Sequence, residues 1–297
     1  MRVLPLGERL GESTVFISEH DPARCRPVLG AVLGRERALM VDSGASAAHA
    51  AEFISSLRRA ASLPEGWMPG LVALTHWHWD HSFGLSSLGL PCWAHERCAG
   101  HLAALAGLGW DEAQVRARVE AGTELPFTAS MIAAEYGSGR DIRVALPDRL
   151  FQRAAPLALG GLSVELMHID SDHSDDTAIV LVPPARAVFL GDITGPAWHE
   201  KPVRYRADRV LALFDALEAL PADLYIESHE APACRAGFLA RYAMLRSAAR
   251  AFTSGARERE ALALAARKDA PAAMGAQAAA RESRRIASLL LAGESLA

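Results

Sequence analysis

The sequence predicts a mixed α/β protein with a helical C-terminal end, and three observations carry that expectation. Short β-branched or apolar runs of strand length recur along the first three quarters of the chain, helical stretches fall between them, and almost everything after residue 235 has helical character. Strands are expected at Thr14–Ile17, Val28–Leu33, Ala38–Val41, Leu71–Leu74, Ser163–Met167, Ala178–Val182, Ala187–Leu190 and Leu224–Ile226. Helices are expected at about 45–60, 96–106, 111–121 and 207–219. Residues 95–145 hold little strand signal and several glycines, and read as a helical insertion rather than a separate domain. The expected organisation is one body over 1–240, carrying that insertion, and a helical extension over 241–297.

Of the 297 residues, 51% are apolar and 22% charged, which excludes disorder as the main state and fits one large domain or two small ones. The longest purely apolar runs are only strand-sized, and MRVLPLGERLGE at the N-terminus has charges where a signal peptide needs an apolar stretch. The expectation is a cytoplasmic protein with no membrane segment. Cys25, Cys92, Cys98 and Cys234 have no C-x-x-C spacing and read as reduced, mostly buried thiols without chemistry. The net charge of −4 conceals an asymmetry, because residues 241–297 carry ten Lys and Arg against five Asp and Glu. A basic tail can bind nucleic acid or acidic membranes. Here the arginines are spaced among Ala and Leu at helical period, as in Ala261–Arg267 and Ala278–Leu291, so a solvated helix face is the better reading. Ile286, Leu289 and Leu290 form an apolar stripe that would support a homodimer if exposed, with burial against the same chain as the default.

The most informative segment is Thr75–Gly84, THWHWDHSFG. Imidazole nitrogen and carboxylate oxygen are ligands that zinc and related first-row metals prefer, and His76, His78, Asp80 and His81 offer four donors from one short run. No helix presents positions i, i+2, i+4 and i+5 on one side. The run is therefore expected to be a loop or strand end, with two donors pointing each way, which suits two adjacent metals better than one. A histidine-rich surface loop is the bland alternative. Three further apolar runs end in polar residues of the same kind: Asp170-Ser-Asp-His173, Gly191-Asp192 and Glu227-Ser-His229. Strand ends that deliver side chains to one place build a site on rigid supports.

With those residues in view, the chain resembles the metallo-β-lactamase superfamily of hydrolases, whose pattern is H-x-H-x-D-H, a later lone His, a Gly-Asp after a strand and a final His. The resemblance covers about residues 10–235 and implies a four-layer αββα sandwich with metals at one edge. By position it implies His76, His78 and His173 as ligands of a first metal, and Asp80, His81 and His229 as ligands of a second. Asp192 is implied as the carboxylate bridging both, and Asp42 in LMVDSG as the early aspartate that supports the metal loop. Two departures stand out. Where many members carry a glycine after the lone histidine, HSDDT places Asp176. The acids Asp170, Asp172, Asp175 and Asp176 read as a solvated turn, with the alternative that one of them orients His173. The helical tail after 240 is not part of the family pattern.

The resemblance implies two divalent ions, zinc first and iron or manganese as alternatives. They would lower the pKa of a bound water to about 7 and make hydroxide available as the nucleophile, with Asp80 relaying a proton. The expected activity is hydrolysis of a small ester-like substrate such as a lactone or thioester. An iron-dependent sulfur dioxygenase and a phosphodiesterase are the alternatives on the same scaffold, the acidic body arguing against a nucleic-acid partner. GxSxG, P-loop and dinucleotide motifs are absent. Trp77 and Trp79 are expected to pack beneath the loop. Tyr136 and Arg140 in the EYGSGR stretch, and His199 in DITGPAWHE, are candidate substrate contacts.

Overall fold

In the computed structural model, which describes residues 1–6 and 14–294, the chain divides into two units. Part of the charged N-terminal run, from residue 7 onward, lies outside the described residues. The first unit comprises Met1–His168, Ala178–Gly191 and Ile226–Ala231, and the second Ile169–Thr177, Asp192–Tyr225 and Pro232–Ala297.

Two mixed layers of sheet form the scaffold. The first sheet has seven strands in sequence order: β1 (Val3–Leu6), β2 (Val15–Ser18), β3 (Gly30–Leu33), β4 (Ala38–Val41), β5 (Leu71–Ala73), β6 (Cys92–His95) and β7 (Arg149–Phe151). It is antiparallel from β1 to β4 and parallel from β4 to β7. The second sheet is built from β8 (Ala154–Ala158), β9 (Ser163–His168), β10 (Ala178–Val182), β11 (Ala187–Gly191), β12 (Leu224–Glu227) and β13 (Ala233–Cys234). Its order is β13-β12-β11-β10-β9-β8. The strands β2, β4, β10 and β11 are buried along their whole length, which is why their sequences are continuous apolar runs rather than alternating ones. Inside the first unit the sheets meet where Phe189 of β11 packs against Gly30 of β3. These sheets with their helices give the αββα class that the sequence implies.

The helices of the first unit are α1 (Ala47–Ala60), α2 (Trp79–Ser82), α3 (Glu96–Ala106), α4 (Glu112–Glu120) and α5 (Pro126–Tyr136). Helix α1 starts where the Ser46 hydroxyl accepts the His49 N–H at 3.0 Å, and it buries Phe53, Ile54 and Leu57 in a core with Phe16, Leu29, Met40 and Val72. Cys98 and Leu102 of α3 belong to that same core. Trp79, Phe83, Trp110, Val115 and Ile132 form a second cluster that seats α4 and α5 beside the Thr75–Gly84 run.

The second unit holds α6 (Ala207–Ala219), α7 (Arg235–Arg241), α8 (Ala243–Thr253), α9 (Arg259–Lys268) and α10 (Ala276–Glu294). Ile286 and Leu290 of α10 are buried within it, and the Leu289 carbonyl accepts the Tyr205 N–H at 3.1 Å. Among the described residues, no helix is long and apolar enough to cross a membrane.

All eight expected strands are present to within two residues at either end. Strands β1, β6, β7, β8 and β13 were not expected. Pro5 and Pro156 interrupt two of them, and the others are four residues or fewer. Helix α5 was not expected as a separate element because its apolar residues lie all round it, leaving no amphipathic period to read.

Candidate metal centre

The Thr75–Gly84 run continues the buried strand β5, so its first side chains are fixed by the sheet. Asp42, at the end of the neighbouring β4, takes a left-handed backbone with φ of 58°, which Asp tolerates better than most residues. Its Oδ1 accepts the Thr75 N–H at 2.7 Å, and its Oδ2 accepts the Thr75 hydroxyl at 2.9 Å. The same Oδ2 lies 2.8 Å from His81 Nδ1. A carboxylate is an acceptor only, so His81 carries its proton on Nδ1 and turns the lone pair of Nε2 the other way. The Thr75 hydroxyl, having given its proton to Asp42, can only accept from His76 Nδ1 at 3.1 Å, and the lone pair of His76 also falls on Nε2.

The loop expectation for the run holds for His76 and His78 but is corrected for Asp80 and His81, which lie on the single helical turn α2. The turn forms because the His78 carbonyl accepts the N–H groups of His81 at 3.0 Å and Ser82 at 3.1 Å, and the Ser82 hydroxyl reaches the Trp77 and His78 carbonyls. A helical turn brings neighbouring positions 80 and 81 to one end of the segment while His76 and His78 stay on the extended part.

The donors of the first unit fall into two sets. His76 Nε2 and His78 Nδ1 are 3.0 Å apart. Asp80 Oδ2 lies 3.5 Å from His81 Nε2 and 3.1 Å from His229 Nε2. Two ligands bonded at about 2.0–2.1 Å to one tetrahedral ion stand roughly 3.3 Å apart, so both sets have the spacing of a coordinated metal. The surroundings agree, since His76, His78, Asp80 and His81 are all buried and their rings crowd together, His76 and His81 with centroids 4.1 Å apart. The lone pair of His81 Nε2 beside the Asp80 carboxylate, 3.5 Å away, is a repulsive contact that a cation between them would relieve. The residues therefore fit divalent metals. His229 is held at the end of β12, where the Ser228 N–H donates to the Gly191 carbonyl at 3.2 Å and the Ser228 carbonyl accepts the Val28 N–H at 2.6 Å. Gly191 has φ of 59°, and a Cβ there would stand 2.7 Å from Thr75 Oγ1, so the Gly of the Gly-Asp pair is required on both counts.

In the second unit His173 Nε2 and Asp192 Oδ2 are 3.8 Å apart. The turn after Asp192 closes by the Gly195 N–H donating to the Asp192 carbonyl at 2.8 Å, and Gly195 backs the His173 ring so closely that a Cβ would fall 2.4 Å from Nδ1. The acidic stretch is only in part the solvated turn that the sequence suggests. Asp172 and Asp176 are buried, and Asp176, at the position where the family pattern has glycine, accepts the Ser174 hydroxyl at 2.5 Å. Asp170 and Asp175 are exposed.

The Tyr136 hydroxyl donates to the Ala45 carbonyl at 2.8 Å, and burial, with Glu135 adjacent, raises its pKa so that it stays a neutral donor. Arg140 lines an open groove of about 460 Å³ with α4 and α5, and His199 is exposed in the second unit. Trp79 packs in the core with Phe83, as expected, whereas Trp77 is half-buried and stacks on His101 with centroids 5.1 Å apart. Sequence reasoning missed Cys25, whose Sγ lies 3.6 Å from Asp80 Oδ2, and Gly195 beside His173. Neither carries a local signal, since each acts through a residue distant in sequence.

Residues 25–229 match the family model described as the metallo-beta-lactamase superfamily. No curated protein matches. Among solved structures, a metallo-beta-lactamase from Pontibacter korlensis superposes with a TM-score of 0.52 at 16% identity, over 80% of this chain and 94% of that one. The stereoselective inverting sec-alkylsulfatase Pisa1 from Pseudomonas sp. superposes with a TM-score of 0.61 at 14% identity, over 98% of this chain and 50% of that one. BLEG-1, a B3 metallo-beta-lactamase, gives a TM-score of 0.51 at 17% identity, over 76% of this chain and 96% of that one. At such identities the likeness speaks for the fold, while the family match spans most of the sequence and includes every histidine and aspartate of the two donor sets; this chain belongs to the metallo-β-lactamase superfamily.

Proposed function

We propose that this protein is a binuclear metal-dependent hydrolase of small ester-like substrates. His76, His78 and His173 would hold one ion, and Asp80, His81, His229 and Asp192 the other, Asp192 being the carboxylate that the family pattern shares between the two. The observation that carries the reading is Asp80 Oδ2, which stands at coordination spacing from both His81 and His229. Zinc is the metal favoured by this all-imidazole and carboxylate donor set, with iron and manganese as alternatives. When bound, the ions would polarise a substrate carbonyl or ester oxygen and make a water acidic enough to ionise near neutral pH. The chain's own residues do the rest. Asp42 and Thr75 fix the tautomers of His81 and His76 so that each presents a lone pair without a rotamer search. Asp80, a buried carboxylate, is the group to which we assign the proton lost by the attacking water. No side-chain nucleophile is called for.

Metal content of protein purified without added metal or chelator tests the first half, with about two zinc ions per chain expected. One iron per chain with oxygen uptake on a persulfide would replace this reading with sulfur oxidation. Asp80→Ala should lose one ion and at least about 100-fold in turnover, general acid–base groups being worth that much or more. Full metal content with full activity in that variant would defeat the assignment. The substrate panel should hold a lactone, a thioester and, because the Pseudomonas structure is a sec-alkylsulfatase, a secondary alkyl sulfate.

A further inference from the structure

Asp172 immediately precedes His173, and its side chain is only 2% exposed. Both of its oxygens are engaged by the start of one helix. Oδ2 accepts the backbone N–H of Arg206 at 2.7 Å, and Oδ1 accepts Arg206 Nε at 2.9 Å. Arg209, one turn into α6, brings Nε to 3.8 Å of the same Oδ1 and donates from Nη1 to the Ser171 carbonyl at 2.9 Å. Arg206 is the residue before α6, and its own side chain makes no capping bond to that helix. A helix start carries backbone N–H groups without intrahelical acceptors and a partial positive charge, so a carboxylate delivered from another segment is stabilised there.

The consequence falls on the next residue. The backbone entering His173 is pinned through Asp172 to a 13-residue helix, and the ring is backed by Gly195 on the turn that leaves Asp192. On the far side of His173, the Thr177 hydroxyl donates to the Ser174 carbonyl at 2.8 Å and closes the loop. The backbone on both flanks of His173 is thereby held, and Gly195 limits the space behind its ring.

We infer that Asp172 is the positioning residue for His173, acting through the Arg206 pair at the head of α6 to preset the first metal's third ligand. The inference rests on the proposed role of His173 as a ligand. Its mechanism is preorganisation: a loop already held in the binding geometry gives up less freedom when an ion arrives.

The test is competition of the metal-free full chain against a chromophoric chelator for zinc, resolving two phases, with wild type, His173→Ala, Asp172→Asn and Arg206→Lys compared. The phase lost in His173→Ala identifies the first site. Asp172→Asn keeps the shape but removes the charge, and should weaken that phase 10- to 100-fold while leaving the other unchanged. Arg206→Lys retains the backbone donor and a cation, and should fall between that variant and wild type; it also carries the test if Asp172→Asn does not fold. A general loss of stability would weaken both phases alike, and that outcome, or an unchanged first phase, overturns the inference. Two phases surviving in His173→Ala would instead remove His173 from the metal site, and this inference with it.

Discussion

Asp42 accepts three donors from the loop it supports, two from Thr75 and one from His81, and its Oδ2 decides which nitrogen of His81 faces Asp80. Such control from behind the ligand was legible only as an aspartate following a strand; the tautomer argument needed the distances. Gly195 was not legible at all, because its constraint is steric and comes from His173, twenty-two positions earlier. Gly195→Ala would place a methyl 2.4 Å from His173 Nδ1, inside contact distance for any pair of heavy atoms. The expected cost is about 1–3 kcal/mol of stability in the metal-free protein, the range for overpacking a tight site. An unchanged urea midpoint for Gly195→Ala would show that the ring has room to move.

At the scale of elements, the ligand-bearing strands were the easiest to read, because strands buried on both faces have no polar residues until they end. Asp192 and His229 appear where β11 and β12 stop. Helix α5 was hard to read because its apolar residues lie all round it, and its docking through Ile132 is joined by a polar anchor. Glu135, whose side chain is fully buried, pairs with Arg26 through two contacts of 2.7 and 2.9 Å and also accepts the Ser46 hydroxyl. Arg26 in turn holds Glu52 at 2.9 Å. Burial lowers the Arg26 pKa, but the bonds to Glu135 and Glu52 outweigh it and hold the value above normal. Glu135→Ala would leave a buried guanidinium without its bidentate partner, and should destabilise the protein by about 3 kcal/mol, near the lower end for breaking a buried pair. The double variant Arg26→Met with Glu135→Leu should recover most of that loss in denaturant unfolding; no recovery would mean that α5 is held by something else.

For the molecule as a whole, the donor motif and the helical tail could be read from residue type and period, whereas the long-range ion pairs could not. One of the buried groups sets how folding responds to acid. His49 is fully buried, its Nδ1 accepts the Ala45 N–H at 3.2 Å, and burial, with Arg26 nearby, lowers its pKa from 6.5 to about 3. Between those two values the unfolded chain binds a proton that the folded chain does not, so stability is complete above 6.5 and falls as the pH drops. The slope contributed by this one group approaches about 1.4 kcal/mol per pH unit. His49→Asn keeps an acceptor for the Ala45 N–H without the titration. In chelator-treated protein it should lose less stability than wild type between pH 7 and 5, and equal losses would acquit His49. The Arg26–Glu135 pair also has a historical consequence. A segment anchored through an ionic pair leaves a mark on the sequence: a lineage that kept α5 but lost Glu135 would bury an arginine without its bidentate partner unless position 26 changed in the same step. Diversification is therefore expected as point substitution along the outward face of α5, with positions 26 and 135 inherited together.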